Sequence, residues 1–557
     1  MTLRGAHLAL RCLKLEGIRK LFTIVGDTIL PICDAAVDEG MDLVDTRHEA
    51  AALHMADAWS RVTGEPAVAL VTGGPGFANA ISALPPIHAS ESPVILLAGC
   101  GELVERGMYG FQEIDQVGLA APATKGSWMV PDRRRIPGMI ATAFRTALEG
   151  RRGPVHLTIP IDIQEAAVAE SETPAYPPSE YRPAGRSLGD PALVAQAIDV
   201  LGNAERPVVV AANAARASLA PPDLRDFVEA TNLPCFTVEQ ARGLLSDDHP
   251  LCFGYGDPAL NDTAKHFREA DAVLLLGKRL DHRYRYGRPP FFNAAATLIQ
   301  VDPSPAEIGR NRGVHVGIVG DVGAVVRQMT EAARGAERWT GVAAWRRQLG
   351  KTREAQRLRF EALGTDETPL HAVRVLRDVD TFTDDDTILV VDGGDFAGWG
   401  RSYLRARNAG GWLRLGPLGQ LGCGVPYAIA AKLARPEADV LLLIGDGSFG
   451  FYGIEFDTAV RHGAAFTAVM GNDALWGIDR NFQLAYYGRA VGTELRPVRY
   501  DKMVEALGGH GEHVTQPGEI VPAIRRARES GRPSLVSVTI RNTPCPLANA
   551  MMARKMR

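Results

Sequence analysis

The chain has 557 residues, of which 46% are hydrophobic and 23% are charged, and its formal net charge at pH 7 is −4. This length predicts two to four domains rather than a single core. The small net charge argues against a general nucleic-acid-binding protein, and no apolar run reaches the roughly 18 residues of a membrane span. Seven scattered cysteines without a C-x-x-C pair predict reduced thiols in a cytoplasmic protein.

The predicted elements begin with an amphipathic helix in "MTLRGAHLALRCLKLEG", which lacks the continuous apolar stretch and cleavage site of a secretory signal. After it, short β-branched runs alternate with helical segments, which predicts parallel sheets covered by helices. We interpret the pattern as three doubly wound, parallel-sheet α/β domains. The first and third blocks share a similar size and rhythm, so we expect two related domains on either side of a different one. The predicted boundaries are 1–165, a linker at 166–188, 189–335, a charged connection at 336–365, 366–544, and a tail at 545–557.

In the first block, "RHEAAALHMADAWSRVTG" predicts a helix that begins near Glu49, with apolar residues at a period of 3.6. Thr46 and Glu49 have the spacing of a capping box, and a carboxylate in the first turn suits the helix dipole. Taken by itself, Glu49 is therefore explained by helix capping. A functional role for it depends on its combination with motifs elsewhere in the chain.

In the third block, "ADVLLLIGDGSFGFYGIEFDTAVRHGAAFTAVMGND" predicts a strand–helix–strand unit with a right-handed crossover. Asp446 and Asp473 then lie at the carboxyl ends of two parallel strands, where open α/β sheets bind ligands. Two carboxylates there suit Mg²⁺, which completes its octahedron with phosphate oxygens and water. Gly445, Gly447 and Ser448 let backbone N–H groups approach a phosphate. An Asp-Gly turn followed by an unrelated Asn-Asp turn is the alternative, which the matched strand ends disfavour.

These segments, taken in order, resemble those of thiamine-diphosphate (ThDP) enzymes of the acetolactate synthase type over nearly the whole chain. "RHEAAALHMADAWSRVTG" is similar to the family's cofactor-activating glutamate helix, "LVTGGPGFAN" to its Gly-Pro-Gly loop, and "FQEIDQ" to its Phe-Gln substrate segment. "GQLGCGVPYAIAAKL" resembles the segment that bends the cofactor, and the Asp446–Asp473 stretch resembles the ThDP signature. Five ordered matches make the resemblance specific.

The resemblance implies a role for each matched residue. Glu49 is the implied acid that contacts the pyrimidine N1′ and promotes loss of the C2 proton from the thiazolium ring. Asp446, Asp473 and the carbonyl of Leu475 are the implied Mg²⁺ ligands, and Asp473 departs from the family's usual asparagine. An aspartate retains an oxygen donor and adds a charge that Mg²⁺ should tolerate. Leu421 is implied to hold the bent cofactor from beneath. The other implied cofactor-binding residues are Gly26, Pro75, Asn79, Gly394, Asp395, Phe396, Gly419, Gly445, Gly447 and Ser448.

The third block is most similar to the second type of 2-hydroxyacyl-CoA lyase, which shares the "GND" run. This resemblance implies cleavage of a 2-hydroxyacyl-CoA substrate into formyl-CoA and an aldehyde or ketone. It also implies a homodimer or homotetramer, because the family's two ThDP-binding domains come from different subunits. With Glu49, the predicted catalytic residues are Gln112, as a positioning group, and Glu494, as an acceptor of the 2-hydroxyl proton. His88 and His48 are further candidate acceptors. An acetolactate synthase-like carboligase or decarboxylase is the alternative within the family, and a non-catalytic ThDP- or nucleotide-binding protein is the alternative from another class.

The middle block bears on additional cofactors. Acetolactate synthases normally carry FAD beside a glycine-rich turn, whereas "VVVAANAARASL" has no glycine there, so FAD is not expected. Arg279 and Asp302 align with positions that hold an adenine nucleotide in the related oxalyl-CoA decarboxylases. ADP is therefore a candidate ligand, although surface ion pairs explain both residues equally well.

The tail "CPLANAMMARKMR" combines apolar residues with three cations. Two interpretations stay open: a frayed basic end, or a lid over the site. In the second, Leu547 and the methionines Met551, Met552 and Met556 would adapt to an apolar mouth, while Arg554, Lys555 and Arg557 would meet CoA phosphates.

Overall fold

The computed structural model describes residues 3–169, 174–182, 184–334, 339 and 341–555. Within these residues it contains three six-stranded sheets, and every pair of neighbouring strands is parallel. This confirms the prediction of three doubly wound α/β domains. Residues 170–173 and 183 of the predicted linker, 336–338 and 340 of the predicted connection, and Met556 and Arg557 of the tail lie outside the described residues.

The first sheet belongs to the N-terminal domain. Its strands are β1 (Lys20–Ile24), β2 (Asp42–Asp45), β3 (Ala67–Val71), β4 (Val94–Cys100), β5 (Ser127–Met129) and β6 (Val155–Pro160), in the order β2-β1-β3-β4-β6-β5. The helices are α1 (Gly5–Leu15), α2 (Leu30–Glu39), α3 (Glu49–Thr63), α4 (Pro75–Ile81), α5 (Leu84–Ser90), α6 (Gln116–Ala120), α7 (Ile136–Leu148) and α8 (Ile161–Glu165). The central strand β3 is buried along its whole length, because helices cover both faces of a parallel sheet and favour continuous apolar runs.

The second sheet belongs to the middle domain. Its strands are β7 (Pro207–Ala211), β8 (Cys235–Thr237), β9 (Cys252–Tyr255), β10 (Ala272–Leu276), β11 (Thr297–Asp302) and β12 (Val316–Val319), in the order β12-β11-β10-β7-β8-β9. The accompanying helices are α9 (Pro191–Asn203), α10 (Asn213–Arg216), α11 (Pro221–Thr231), α12 (Val322–Ala333) and, in the connection, α13 (Ala343–Glu361). This strand order is that of a Rossmann-type sheet.

The third sheet belongs to the C-terminal domain. Its strands are β13 (Ile388–Asp392), β14 (Trp412–Arg414), β15 (Val440–Gly445), β16 (Thr467–Asn472), β17 (His510–Val514) and β18 (Ser534–Thr539), in the order β14-β13-β15-β16-β18-β17. The helices are α14 (Ala372–Asp380), α15 (Asp395–Tyr403), α16 (Gly424–Ala434), α17 (Asp446–Tyr452), α18 (Phe456–Arg461), α19 (Gly477–Tyr487), α20 (Tyr500–Ala506), α21 (Ile520–Glu529) and α22 (Pro546–Lys555). The first and third sheets share one strand order, and the middle sheet has another, as the rhythm of the three blocks predicted.

The described residues form two compact units. The first contains the chain before residue 186 together with Leu415–Ala434 and Ile454–Ala464, and the second contains the remainder. Helices α16 and α18 of the C-terminal domain therefore belong to the first unit, where α16 packs along α3. None of the helices in the described ranges has the length and apolar character needed to cross a membrane.

Candidate active site

Asp446 and Asp473 lie at the carboxyl ends of two adjacent parallel strands. β15 and β16 pair so that Gly445 lies opposite Gly471, and Asp446 begins α17 directly after β15. Burial raises the pKa of Asp446 to about 7, with a further contribution from the Asp473 carboxylate, and burial also raises the pKa of Asp473. Within the described residues, the buried Oδ2 of Asp446 has no hydrogen-bond partner. Two neighbouring buried carboxylates, one with an unsatisfied oxygen, form a site that would be stabilised by a cation.

The loop after β16 holds Asp473 in a fixed orientation. Asp473 Oδ1 accepts the backbone N–H of Leu475 at 3.2 Å, and Oδ2 accepts the Asn542 side-chain amide at 2.9 Å. Ala474 adopts a left-handed conformation with φ of 56°, which turns the chain sharply between the two predicted ligands. An isolated antiparallel bridge joins Leu475 to Glu494, which is exposed. The predicted proton acceptor Glu494 therefore lies beside the predicted metal loop.

The glycine corner after β15 has no room for larger residues at one position. A Cβ on Gly447 would lie 2.8 Å from ring carbons of Trp476, whereas one on Gly445 would meet nothing within 4 Å. The Ser448 hydroxyl donates to Asp392 Oδ1 at 3.1 Å, so its side chain is committed to the end of β13. Contact of the Ser448 backbone N–H with a phosphate stays a prediction.

Asp395, the first residue of α15, has a clear structural role. It accepts hydrogen bonds from the Asn481 side chain at 2.9 Å and from the Cys545 backbone N–H at 2.8 Å. Burial raises its pKa despite these bonds. Asp395 therefore links α15 to α19 and to the start of the tail.

The neighbours of Asp395 pack into the same domain. A Cβ on Gly394 would lie 3.2 Å from the Ile478 side chain. Phe396 is buried, and a Cβ on Gly471 would lie 2.5 Å from a carbon of the Phe396 ring. Contact of these residues with a cofactor stays a prediction.

Glu49 is the first residue of α3, as predicted, but it does not close a capping box. The N-cap is His48, whose Nδ1 accepts the backbone N–H of Ala50 at 3.1 Å. Thr46 instead donates its hydroxyl to the His48 carbonyl at 3.0 Å. The capping-box interpretation of Glu49 is therefore wrong, because an imidazole caps the helix. The Glu49 carboxylate accepts the Asn79 amide at 3.0 Å, which joins two of the predicted cofactor-binding residues.

The Gly-Pro-Gly loop brings Glu49 and the Phe-Gln segment to one place in the first unit. Pro75 begins α4, and a Cβ on Gly76 would lie 3.2 Å from Glu49 Oε1. Gly74 has φ of 59°, and a Cβ there would lie 2.5 Å from Gln112 Cβ. In the described part of the chain, the buried Oε1 of Gln112 has no hydrogen-bond partner. Gln112 and Glu49 thus flank one loop, and Gln112 retains an unused acceptor.

Thr28 and Thr72 form hydrogen bonds that connect the segment after β1 to the Gly-Pro-Gly loop. A Cβ on Gly26 would lie 2.5 Å from Thr72 Cβ, so glycine is required for the close approach of the two segments. The hydroxyls of Thr28 and Thr72 lie 3.0 Å apart, and Thr28 accepts the Gly73 N–H at 2.8 Å.

Gly419 and Leu421 precede α16, in the same unit as Glu49. Gly419 is exposed with φ of 86°, and Leu421 is half-buried. Asp57 on α3 accepts the Tyr427 hydroxyl of α16 and forms a buried pair with Arg61, whose Nη2 lies 2.6 Å from Asp57 Oδ2. The Glu49 helix and the helix after the predicted pyrimidine segment are therefore cross-linked by a buried polar network.

Comparison with known proteins accounts for the three domains. Residues 3–119 match the N-terminal TPP binding domain of thiamine pyrophosphate enzymes, 194–329 match the central domain, and 392–538 match the C-terminal TPP binding domain. The chain is 35% identical over 542 residues to an acetolactate synthase large subunit of Mycobacterium tuberculosis, which covers 96% of each chain. The chain belongs to the thiamine pyrophosphate enzyme family. It is also 33% identical over 585 residues to 2-hydroxyacyl-CoA lyase 2 of Bos taurus, covering 97% of this chain and 91% of the relative. The human 2-hydroxyacyl-CoA lyase 2 is 32% identical over 573 residues, covering 95% and 89%. The predicted family resemblance is confirmed.

The residues of this thiamine pyrophosphate enzyme fit ThDP and Mg²⁺. No group of three or more His, Cys, Asp or Glu side chains suited to a metal occurs among the described residues. Asp446 and Asp473 would therefore need backbone and diphosphate oxygens to complete a Mg²⁺ shell, which is how Mg²⁺ is usually held beside phosphates. The unsatisfied Asp446 oxygen fits this role.

Sequence reasoning missed four residues of these sites. Thr72 lies inside the recognised segment "LVTGGPGFAN" and Thr28 stands two residues after Gly26, so their position was a usable signal. Asp392 and Asn542 had no such signal, because each contacts a site residue that is distant in sequence. Asp392 accepts the Ser448 hydroxyl at 3.1 Å, and Asn542 donates to Asp473 at 2.9 Å.

Arg279 and Asp302, the predicted nucleotide contacts, both have partners within the middle domain. Arg279 Nε lies 3.3 Å from Glu307 Oε1. Asp302 is buried at the end of β11, and its Oδ1 accepts the Ser304 N–H at 3.0 Å. Local ion pairing and turn formation account for both, and ADP binding stays a prediction.

The tail is a packed helix rather than a frayed end over its described part. Cys545 and Ala548 are buried, and the Trp399 indole donates to the carbonyl of Thr543 at 3.1 Å. Arg554, near the end of α22, interacts electrostatically with Arg285 and Asp257 of the middle domain. A lid role for the tail stays a prediction, but its first turn is part of the domain core.

Proposed function

We propose that this thiamine pyrophosphate enzyme is a Mg²⁺-dependent carbon–carbon lyase that cleaves a 2-hydroxyacyl-CoA to formyl-CoA and an aldehyde or ketone, reversibly. The observation that carries this choice is the turn after β7, where FAD-bearing acetolactate synthases have glycines. Here Ala214 and Ala215 occupy that turn and pack closely against Gly277 at the end of β10, where a Cβ would lie 2.7 Å from Ala214 Cβ and 2.6 Å from Ala215 N. This packing supports a member of the family without FAD.

Acetolactate synthesis from 2-oxo acids is the second candidate. The 35% identity to the Mycobacterium tuberculosis acetolactate synthase large subunit favours it as strongly as the 33% identity to the bovine lyase favours cleavage. Carboligation and lyase chemistry use the same cofactor carbon, so the distinction lies in the substrate pocket.

The residues on the first unit have defined tasks in this proposal. Bound ThDP supplies a nucleophilic carbon for addition to the acyl carbonyl. Glu49 would act as the acid at the pyrimidine N1′, held in place by Asn79. Gln112 would offer its unused amide oxygen to orient the substrate. His48 is a poor proton acceptor, because an Nδ1 that accepts the Ala50 N–H leaves Nε2 protonated in the neutral ring.

The residues on the second unit would hold the diphosphate and the metal. Asp446, Asp473 and the Leu475 carbonyl are the proposed Mg²⁺ ligands. Glu494, beside Leu475, is the proposed acceptor of the 2-hydroxyl proton. In the net reaction the C1–C2 bond of the substrate breaks, C2 departs as the aldehyde or ketone, and the proton that Glu494 would take from the 2-hydroxyl is balanced by a proton delivered to C1, which gives formyl-CoA.

A homodimer or homotetramer in the cytoplasm completes the proposal. Loop 103–114 exposes large apolar side chains, with Met108 72%, Tyr109 99% and Phe111 78% exposed, as is typical of interaction surfaces. All seven cysteines are free thiols, which supports a reducing compartment.

The test is mass spectrometry of products after incubation with several 2-hydroxyacyl-CoA thioesters, with pyruvate alone as the control. Formyl-CoA with the shortened aldehyde or ketone is the expected result. Acetolactate from pyruvate, with intact thioesters, would replace the lyase proposal with the carboligase.

A further inference from the structure

A cavity of about 510 Å³ lies within the second unit, and none of its walls is formed by a residue assigned above to the candidate active site. β9, the C-terminal half of α13, and the end of α15 with the residues that follow it form the walls. Its volume lies within the range of roughly 300–1,000 Å³ that is typical of small-molecule sites.

Arg401 is a buried cation in the wall of this cavity. It is 8% exposed, and its Nη2 donates to the Tyr255 hydroxyl at 3.3 Å. Its Cζ stands 5.2 Å from the centre of the same ring. Over the described ranges, its buried Nε has no hydrogen-bond partner and no carboxylate lies within ion-pair distance of its guanidinium. Because arginine keeps its charge and carries five donors, most of its binding capacity is unused.

The charges around Arg401 compensate it only in part. Glu239 is the buried carboxylate that influences it, but Glu239 already contacts Arg414 and lies 3.6 Å from Arg283. Burial, followed by repulsion from Arg414, lowers the pKa of Arg401. An unpaired buried charge is unfavourable, and a bound anion would remove that penalty.

A second guanidinium reaches the same cavity from its exposed side. Arg353 donates to the Cys252 carbonyl at 2.9 Å, and its Cζ stands 5.2 Å from the centre of the Phe253 ring. No carboxylate among the described residues lies within ion-pair distance of it. The other charged side chains of the walls are already engaged: Arg242 with Asp247, Arg405 with Asp248 and Asp380, Arg357 with Glu354, and Glu361 with the Tyr403 hydroxyl.

We propose that this cavity binds a small organic anion whose carboxylate or phosphate group is held by Arg401 and Arg353. Guanidinium groups bind both anions through pairs of parallel N–H bonds, and the contacts of Arg401 with the Tyr255 ring and of Arg353 with the Phe253 ring restrict where the two groups lie. The rings of Phe253, Tyr255 and Phe360 give the cavity apolar walls. The volume and these walls favour an organic ligand over a bare inorganic ion.

The test uses the holoenzyme saturated with ThDP and Mg²⁺, so that the predicted diphosphate site is filled. Calorimetric titration and the thermal midpoint are measured with inorganic phosphate, with malonate, and with chloride at equal ionic strength. We expect saturable binding of phosphate or malonate and a rise in Tm of about 2 °C or more well above Kd, with no saturable response to chloride. A stronger response to phosphate identifies a phosphorylated ligand, and a stronger response to malonate identifies a carboxylate. No saturable binding of either anion overturns the proposal.

Variants locate the response. Arg401→Met removes the charge at similar length, and should weaken anion binding at least tenfold while leaving Tm in chloride unchanged or higher. Arg357→Gln is the matched control, because it removes a guanidinium at the same cavity that is already paired with Glu354; it should bind anions as wild type does. Full binding in Arg401→Met would overturn the proposal. If that variant does not fold, Arg401→Lys decides: loss of the planar fork should weaken binding about fivefold or more, and wild-type affinity would contradict the assignment.

Discussion

Replacing Glu455 by glutamine should remove a component of the pH dependence of stability. Glu455 is fully buried and accepts the Arg47 backbone N–H at 3.0 Å and the Thr458 hydroxyl at 2.6 Å. Burial raises its pKa from 4.5 to about 7. Below pH 4.5 the carboxyl is protonated in both the folded and the unfolded chain. As pH rises towards 7, the unfolded chain ionises first, so the folded state loses stability across this window.

The size of this component follows from the shift. At about 1.4 kcal/mol per pH unit, a shift from 4.5 to about 7 corresponds to roughly 3 kcal/mol. Glutamine stays neutral and keeps an oxygen for the Arg47 N–H, so Glu455→Gln should retain this stability up to pH 7.5. Urea midpoints are measured from pH 4.5 to 7.5 for wild type, Glu455→Gln and the exposed control Glu437→Gln. Parallel curves for wild type and Glu455→Gln would show that Glu455 does not contribute to the pH dependence of stability.

Three further predictions concern the metal loop, the polar network and the tail. Asp446→Ala should abolish tight ThDP binding in the presence of Mg²⁺, whereas Asp473→Asn should have a mild effect because it keeps an oxygen donor. Equal losses of ThDP affinity in calorimetric titrations of the two variants would contradict the ligand assignment. Tyr427→Phe removes the hydroxyl bonded to buried Asp57 and should cost about 1–2 kcal/mol by urea denaturation; an unchanged midpoint would exclude a stabilising role for that bond. Truncation after Thr543 deletes buried tail residues and should lower Tm by several degrees, even with saturating ThDP; a truncated enzyme with wild-type Tm would return the tail to a peripheral role.

The parts of this enzyme that were predictable from sequence are those fixed by local pattern. A buried apolar run followed by a helix defines a parallel strand, so the edge that carries Asp446 and Asp473 followed directly from the two runs. The start of α3 at Glu49 was predictable for the same reason.

The rest depends on contacts that are distant in sequence. His48 is the N-cap of α3 in place of the predicted capping box, because its imidazole Nδ1 accepts the Ala50 N–H. Nothing in the residue spacing indicates that geometry. The tail was expected to be frayed or mobile, yet Cys545 fits against Gly398, where a Cβ would lie 2.4 Å from its Sγ. The strand–helix–strand unit expected between Asp446 and Asp473 contains two helices, α17 and α18, separated by a short 3₁₀ turn at Gly453–Glu455, which places Glu455 against Arg47. The Arg401 cavity likewise brings together three segments that no motif connects.

We propose that Glu49 activates bound ThDP for catalysis. Its most direct test is the rate of C2 hydrogen–deuterium exchange of bound ThDP, measured by rapid acid quench and NMR in wild type and Glu49→Gln. The variant keeps a polar group of the same size beside Asn79 but has no acid proton for N1′. We predict a fall in the exchange rate of about two decades or more, with the fold and Mg²⁺-dependent ThDP binding retained. Exchange at the wild-type rate in Glu49→Gln would exclude Glu49 as the group that activates the cofactor.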